Sequence, residues 1–436
     1  MKKVLIITYY FPPAGGPGVQ RWLKFVKYLP DFDIQPIVYV PKNPTYPIID
    51  NDLVDEIPEN AIVLKHKIFE PYQIAAIFSK NNTTKISSGI IPNRKKQTFM
   101  QQLFLWIRGN IFIPDARIYW VKPSVKFLEE YILLNKIDTI ITSGPPHSLH
   151  LIGLKLKQKF QVNWIADFRD PWTTIGYHKD LKLSDYTAKK HKNLEKTVLN
   201  TTDTIIVTSK TTKQEFEFIT DKPIDIITNG YDNELIEAQS LDSKFSMAHI
   251  GSFLSDRNPE ILWQSINELI SEVPDFKNKI EIKLIGKTSQ EVLDSISKFE
   301  LDGFVNNLGY VSHKIAVQEQ RKSQVLLLIE IDSNDTKSII PGKLFEYMVS
   351  DRPIIAIGPK NSDFEVIINQ TKSGEFFTYD DKIKLKKSIL ECYNLYLDNN
   401  LKSNAVNIDQ FSRRNLTEKL AKLIFSLDVK SQINTN

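Results

Sequence analysis

Two hydrophobic patterns alternate along the chain. Short, uninterrupted apolar runs recur at Val4–Ile7, Ile37–Val40, Thr139–Thr142, Trp164–Ala166, Ile205–Val207 and Ile224–Ile227. Runs of this length without polar alternation suit strands covered on both faces, as in a parallel sheet flanked by helices. Between them apolar residues return at helical spacing: Trp22, Phe25, Val26 and Leu29 fall at i, i+3, i+4 and i+7, and Pro30 closes that helix. A second series follows the turn Asn229-Gly230. Its strands are Met247–Ile250, Ile282–Ile285, Val325–Ile329 and Ile354–Ile357, with helices such as Pro259–Ile270 and Lys343–Met348 between them. The pattern predicts two consecutive doubly wound α/β domains joined near residues 230–244. The polar, basic stretch 79–98 reads as a loop, and the tail beyond Leu427 as a frayed end. Sheets of this kind bind ligands beyond the carboxyl ends of their strands. Chemistry is therefore expected at strand ends, in a cleft between two facing sheets.

Composition narrows this picture. A chain of 436 residues exceeds one ordinary core, in line with two domains. The net charge of +4 is too mild for a dedicated nucleic-acid binder, and it suits anionic small molecules or a membrane face. The single cysteine, Cys392, reads as part of a buried helix face. It excludes a disulfide framework within the chain and points to a reducing, cytoplasmic setting. The opening "MKKVLIITYYFPP" imitates a signal peptide. Its apolar run is too short for one and two prolines follow, so it reads as the first strand. No stretch of about 18 apolar residues is present, and no transmembrane helix is expected.

Several strand ends carry candidate chemistry. In "YYFPPAGGPGVQRW", 9–22, strand, glycine turn and helix start aim backbone N–H groups at an anion. The loop lacks the Gly-Lys-Ser/Thr ending of a P-loop, and the third glycine of a dinucleotide fingerprint would fall at Arg21. In "SIIPGKLFEYMVSDRPIIAIGP", 338–359, Glu346 lies among Leu344, Phe345, Tyr347 and Met348, with Lys343 three residues back. Two readings stand side by side: a carboxylate for ribose hydroxyls with a lysine for phosphate, or a local ion pair on a solvated edge. "ADFRDPW", 166–172, ends a strand with Asp167, Arg169 and Asp170, either tying down its loop or facing substrate. His147 in "SGPPHSLH", 143–150, either touches a sugar or serves packing and capping. Asp31-Phe32-Asp33 reads as a turn, and the seven histidines show no metal spacing. The aromatic stretch 97–120, preceded by Arg94, Lys95 and Lys96, reads as a core helix plus loop, with peripheral docking on an anionic membrane as the alternative.

"IPGKLFEYMVSDRPIIAIG" resembles the nucleotide-binding segment of family-4-type glycosyltransferases of the GT-B fold. Other pieces follow in that family's order: the glycines at 14–18, "ADFRDPW", "IVTS" at 206–209, "ITNGYD" at 227–232, "HIGSF" at 249–253, "LIG" at 284–286 and "NNLGYVS" at 306–312. The resemblance covers nearly the whole chain and includes enzymes of bacterial surface-polysaccharide synthesis. It implies an α/β GT-B architecture of two Rossmann-like domains facing across a cleft. Residues 1–235 would form the acceptor side, 236–410 the nucleotide-sugar side, and a helix at 411–427 would pack back on the first domain. The implied activity is transfer of a sugar from a nucleotide-diphosphate sugar to a glycan or lipid-linked acceptor, with retention in the family's manner and without metal or cofactor. Donor contacts carried over are Gly15, Gly16, Gly251, Arg257, Gly342, Lys343 and Glu346, and catalytic candidates are Arg169, Asp170 and His147. Glu346 matches the second glutamate of the family's Glu-x7-Glu pattern. The first falls at Ser338, so the chain departs there, with Asp335 or backbone near Ile339 to Gly342 as substitutes. Likewise Ser252 stands where the family often has arginine, and Arg169 where many relatives place histidine. The missing first glutamate keeps a non-catalytic nucleotide-sugar or glycan binder in view, and the shared fold a nucleotide-sugar epimerase. A phosphorylase is disfavoured, as no lysine-anchored cofactor signature is seen.

Overall fold

The structure, a computed structural model, describes residues 1–71, 99–232 and 239–433. Segment 79–98, with Arg94, Lys95 and Lys96, lies outside them. The chain divides into two compact units, Met1–Asn229 with Arg413–Asn436, and Gly230–Ser412.

The first unit holds a seven-stranded parallel sheet. Its strands are β1 (Lys2–Ile7), β2 (Ile34–Pro41), β3 (Ile62–His66), β4 (Thr139–Gly144), β5 (Asn163–Phe168), β6 (Thr204–Val207) and β7 (Ile224–Ile226), in the order β3-β2-β1-β4-β5-β6-β7. Each apolar run read from this half of the sequence is one of these strands. Successive residues of β1 feed opposite faces, as the period of two requires. Val4 and Ile6 join the core on one face, and Leu5 and Ile7 that on the other. The helix Pro17–Tyr28 buries Trp22, Phe25 and Val26 on the first of these faces. Leu29 and Pro30 follow in a single 3-10 turn. The last helix, Arg413–Ile433, inserts Leu416, Leu420, Ile424 and Leu427 into the same core. Its apolar stripe explains why the chain remains helical past Leu427, where the sequence suggests fraying.

The second unit repeats the plan with six parallel strands: β8 (Phe245–Ile250), β9 (Ile280–Ile285), β10 (Val305–Gly309), β11 (Val325–Ile329), β12 (Ile354–Ile357) and β13 (Gly374–Phe377), in the order β10-β9-β8-β11-β12-β13. Val325, Leu327 and Ile329 face one core and Leu326 and Leu328 the other. Cys392 is half-buried rather than buried, and desolvation pushes its thiol up to about 12. The helix Phe99–Asn110 is only partly a core helix. Leu105 is buried, whereas Leu103 and Trp106 are exposed, as are Ile111 and Tyr119 beyond it. Among the described residues no helix is long and apolar enough to cross a membrane.

Candidate functional site

In each sheet the strand order reverses at one place, and there the loops leaving neighbouring strands diverge and open a crevice. In the second unit this switch point lies between β8 and β11. The loop after β8 begins at Gly251 (φ +109°), whose N–H donates to the Ile285 carbonyl at 2.7 Å. Gly286 (φ +118°) follows β9, and a Cβ there would collide with the Gly251 backbone. Both positive φ values are strained for any residue with a side chain. The two glycines let the loops cross closely.

Arg257 reaches over this crossing. Its Nε and Nη2 donate to Glu330 Oε1 at 3.1 Å and Oε2 at 3.2 Å, a two-pronged ion pair that bridges the ends of β8 and β11. Glu330 is 1% exposed and Arg257 23%. Lys343 enters from the short helix Lys343–Met348 that precedes β12. Its Nζ donates to the Ile250 carbonyl at 3.0 Å and lies 3.1 Å from His249 Nε2. Burial and the nearby Arg257 push the Lys343 ammonium down to about 7, against the pull of Glu330 and Glu346. His249, buried beside these two cations, stays neutral well below its ordinary value, chiefly through desolvation. Glu346 is half-buried and accepts from Gln320 Nε2 at 3.2 Å rather than closing on Lys343 as a local ion pair. A Cβ at Gly251 would sit 3.5 Å from the Lys343 ammonium. Gly342 is exposed, with nothing within 4 Å of an added Cβ. Gly251, Arg257 and Lys343 are thus brought together, Glu346 lies within electrostatic reach of Lys343, and Gly342 opens to solvent beside it.

The first unit's switch point lies between β1 and β4. Here Asp167, at the end of β5, is fully buried and receives four donors. Arg21 Nη2 and Nε reach it at 2.7 and 3.2 Å, Trp22 Nε1 at 2.9 Å and the Ser143 hydroxyl at 2.8 Å. Arg21 and these hydrogen bonds hold its carboxyl low against the opposing effect of burial, which is the largest single influence. The partner of Asp167 is therefore Arg21, not Arg169. The Arg169 guanidinium instead donates to the carbonyls of Gly18 at 2.9 Å, Gly144 at 3.4 Å, and Pro145. It ties the opening glycine loop to the loop after β4, and a Cβ on Gly18 would press to 2.8 Å from its Nη1. Asp170 follows, half-buried, its carboxyl raised by desolvation with Arg169 opposing. Gly15 packs against Ile48, where a Cβ would come to 2.8 Å, and Gly16 takes φ +93°. The opening loop is thus fixed from both sides. His147 caps no helix end with its side chain. Its ring stacks on Trp172, centroids 5.1 Å apart and 2° from parallel.

His147 stacks on His150, and through Trp172 it joins His191 and His178, which pack edge-on. Among the described residues no group of His, Cys, Asp or Glu is arranged to hold a metal ion. Burial lowers all four imidazoles, His150 to about 3 and His178 to about 4. They stay neutral in the folded chain, whereas the unfolded chain binds protons below about pH 6.5. Their stabilisation is therefore complete above that pH and lost as pH falls toward the depressed values. At pH 5 each of the deeply buried His147 and His150 is expected to cost about 2 kcal/mol. Denaturant unfolding at pH 7 and pH 5, followed by Trp fluorescence, checks this. An unchanged midpoint contradicts it.

Three residues of these sites are not singled out by the sequence: Glu330, His249 and Arg21. Glu330 follows the apolar run "VLLLI" directly, and His249 lies in the strand-end "HIGSF". Strand-end position is a sufficient signal for both. Arg21 carries no such signal, because a helix arginine beside a tryptophan ordinarily faces solvent.

With the geometry in place, likeness to solved structures settles the fold. Sucrose-phosphate synthase from Thermosynechococcus elongatus superposes with a TM-score of 0.61 at 12% identity, over 99% of this chain and 100% of that one. The E. coli trehalose-6-phosphate protein bound with UDP-2-fluoro glucose gives 0.58 at 10%, over 97% and 98%. The S. aureus TarM G117R mutant in complex with fondaparinux, alpha-GlcNAc-glycerol and UDP gives 0.56 at 12%, over 97% and 99%. The chain has the two-domain, Rossmann-like GT-B fold of these proteins. No protein-family model and no curated protein matches the sequence.

Proposed function

We propose that this protein is a glycosyltransferase that moves a sugar from a nucleoside-diphosphate sugar to a glycan or lipid-linked acceptor. The observation that carries the reading is the placement of Arg257 and Lys343 at the switch point of the second sheet, with Glu346 one turn along the Lys343 helix. Two cations at this position suit a diphosphate, and a half-buried carboxylate one turn away suits the paired hydroxyls of a ribose.

The chemistry follows from that arrangement. When the bond from sugar to diphosphate breaks, negative charge grows on the departing phosphate oxygen. Fixed donors already aimed at that position stabilise it more than they stabilise the bound substrate. Arg257, immobilised by Glu330, and Lys343, held by Ile250 and His249, are donors of this kind. In this mechanism the two side chains carry the charge, and neither metal nor cofactor is assigned a role. The acceptor is assigned to the unit Met1–Asn229. There Arg169 holds two loops at the end of the sheet, and Asp170 and His147 adjoin them.

Supporting the reading are the bound ligands of two structures of the same fold, UDP-2-fluoro glucose in one and UDP in the other. The test is product analysis with uridine, guanosine and thymidine diphosphate sugars labelled in the sugar, with and without glycan and lipid-linked acceptors. Label appearing on an acceptor is the expected outcome. Acceptor-independent conversion of the sugar would establish an epimerase, and binding without turnover a non-catalytic binder; either result overturns the proposal.

A further inference from the structure

Glu330 does more than immobilise Arg257, and its surroundings are unusual for a carboxylate. It is 1% exposed, at the carboxyl end of β11, and locked in place by its own backbone. Its N–H donates to the Ile357 carbonyl at 2.9 Å, and its carbonyl accepts from the Tyr379 hydroxyl at 3.0 Å. The carboxylate takes the Ile331 N–H at 2.9 Å in addition to the two Arg257 bonds. Two cations, Arg257 and Lys343, share this corner with a neutral imidazole, and cations side by side repel. The groups facing Lys343 are His249 and the Ile250 carbonyl from β8, Arg257 from the loop after it, Glu330 from the end of β11, and Glu346 and Tyr347 from its own helix. Glu330 is the carboxylate that engages Arg257 directly and acts on Lys343 as well.

We propose that Glu330 is the positioning residue of the donor site: it aims the Arg257 guanidinium across the end of the sheet and balances the charge that Arg257 places beside Lys343. The inference rests on the proposed donor reading and deepens it. Burial first, and then Arg257, push the Lys343 ammonium down to about 7 against the two carboxylates, so it gives up its proton more readily than an ordinary lysine. An incoming diphosphate adds negative charge beside it and favours the ammonium form. The proton comes from solvent, and the lysine then donates to a phosphate oxygen. The diester phosphates of a nucleotide sugar do not titrate near neutrality, so proton uptake on binding reports on the protein.

The experiment is isothermal titration calorimetry of the full chain with UDP-glucose, GDP-mannose and dTDP-glucose, in buffers of different ionisation enthalpy. For the nucleotide sugar that binds, uptake of about 0.7 proton is expected at pH 7.5, with affinity falling up to about tenfold per pH unit between pH 7 and pH 9. Glu330→Gln keeps the shape and removes the charge. It should move the start of that fall about one pH unit lower, and Glu330→Asp should restore part of the shift. Lys343→Arg should bind without proton uptake. A purely structural Glu330 would lower the melting temperature of both variants and leave the pH profile where it was. That result, or a wild-type affinity flat from pH 7 to pH 9, overturns the inference while leaving the donor reading intact. Failure of all three nucleotide sugars to bind overturns both.

Discussion

Arg21→Ala is expected to lower the unfolding free energy of the first unit by about 3–5 kcal/mol, a larger stability effect than any exchange at the second unit's switch point. The reason is the state in which it leaves Asp167. That carboxylate is 0% exposed, and Arg21 supplies two of its four hydrogen bonds and its main counter-charge. Trp22 and Ser143 remain, but neutral donors do not replace a cation next to a buried anion. The exchange also strips the Thr228 carbonyl of the Arg21 Nη1 donor at 2.9 Å. A drop of about 10 °C in the first unit's calorimetric transition is expected. Neutralising the stranded carboxylate as well, Arg21→Ala with Asp167→Asn, should recover part of it, because no buried charge is left and the amide oxygen still accepts from Trp22 or Ser143. A melting temperature for Arg21→Ala within a degree or two of wild type would show that the pair is solvated in solution.

Lys343→Ala is expected to weaken donor binding about 30- to 100-fold while hardly changing the fold. A charge-assisted bond to phosphate contributes about 2–3 kcal/mol. The ammonium is already disfavoured by its surroundings, which push it down to about 7. Removing it therefore relieves repulsion with Arg257, and the second unit should melt at the same temperature or slightly higher. Arg257→Ala should weaken binding by a similar factor, but with a stability cost of about 2–3 kcal/mol, because Glu330 is left buried without its partner. The contrast separates a ligand contact from a structural prop. Thermal shift with and without nucleotide sugar, on the same samples, measures both quantities. Equal destabilisation in the two variants with donor affinity untouched would mean that the pair serves only the fold.

The fold was legible because its strongest signal is local. A strand buried on both faces is a continuous apolar run, and every such run picked out in the sequence is a strand of one of the two parallel sheets. Three of the four edge strands, β3, β10 and β13, escape that reading. Each is half-exposed, so polar residues such as Lys65, Asn306, Asn307 and Glu375 interrupt its apolar pattern. The residues of the candidate site were legible in part. Gly251, Arg257, Lys343 and Glu346 were reached through motif order and strand-end position, and the structure gathers them at one switch point. What the sequence does not carry is pairing across long separations. Arg257 meets Glu330 over 73 residues and Arg21 meets Asp167 over 146, and nothing local in either stretch names the other. Arg169 shows the same limit. Flanked by Asp167 and Asp170, it reads either as tying down its loop or as facing substrate, and neither reading names the three backbone carbonyls to which its donors go.

The central claim is that the end of the second sheet, where β8 and β11 part, holds a nucleotide-diphosphate sugar. Hydrogen–deuterium exchange of the full chain, with and without the nucleotide sugar that stabilises it most, tests this directly. Slowed exchange is predicted in the loop 250–257 and in 339–347, and it should be lost together with binding in Lys343→Ala. Protection that leaves both segments at their unliganded rates while appearing elsewhere would contradict it.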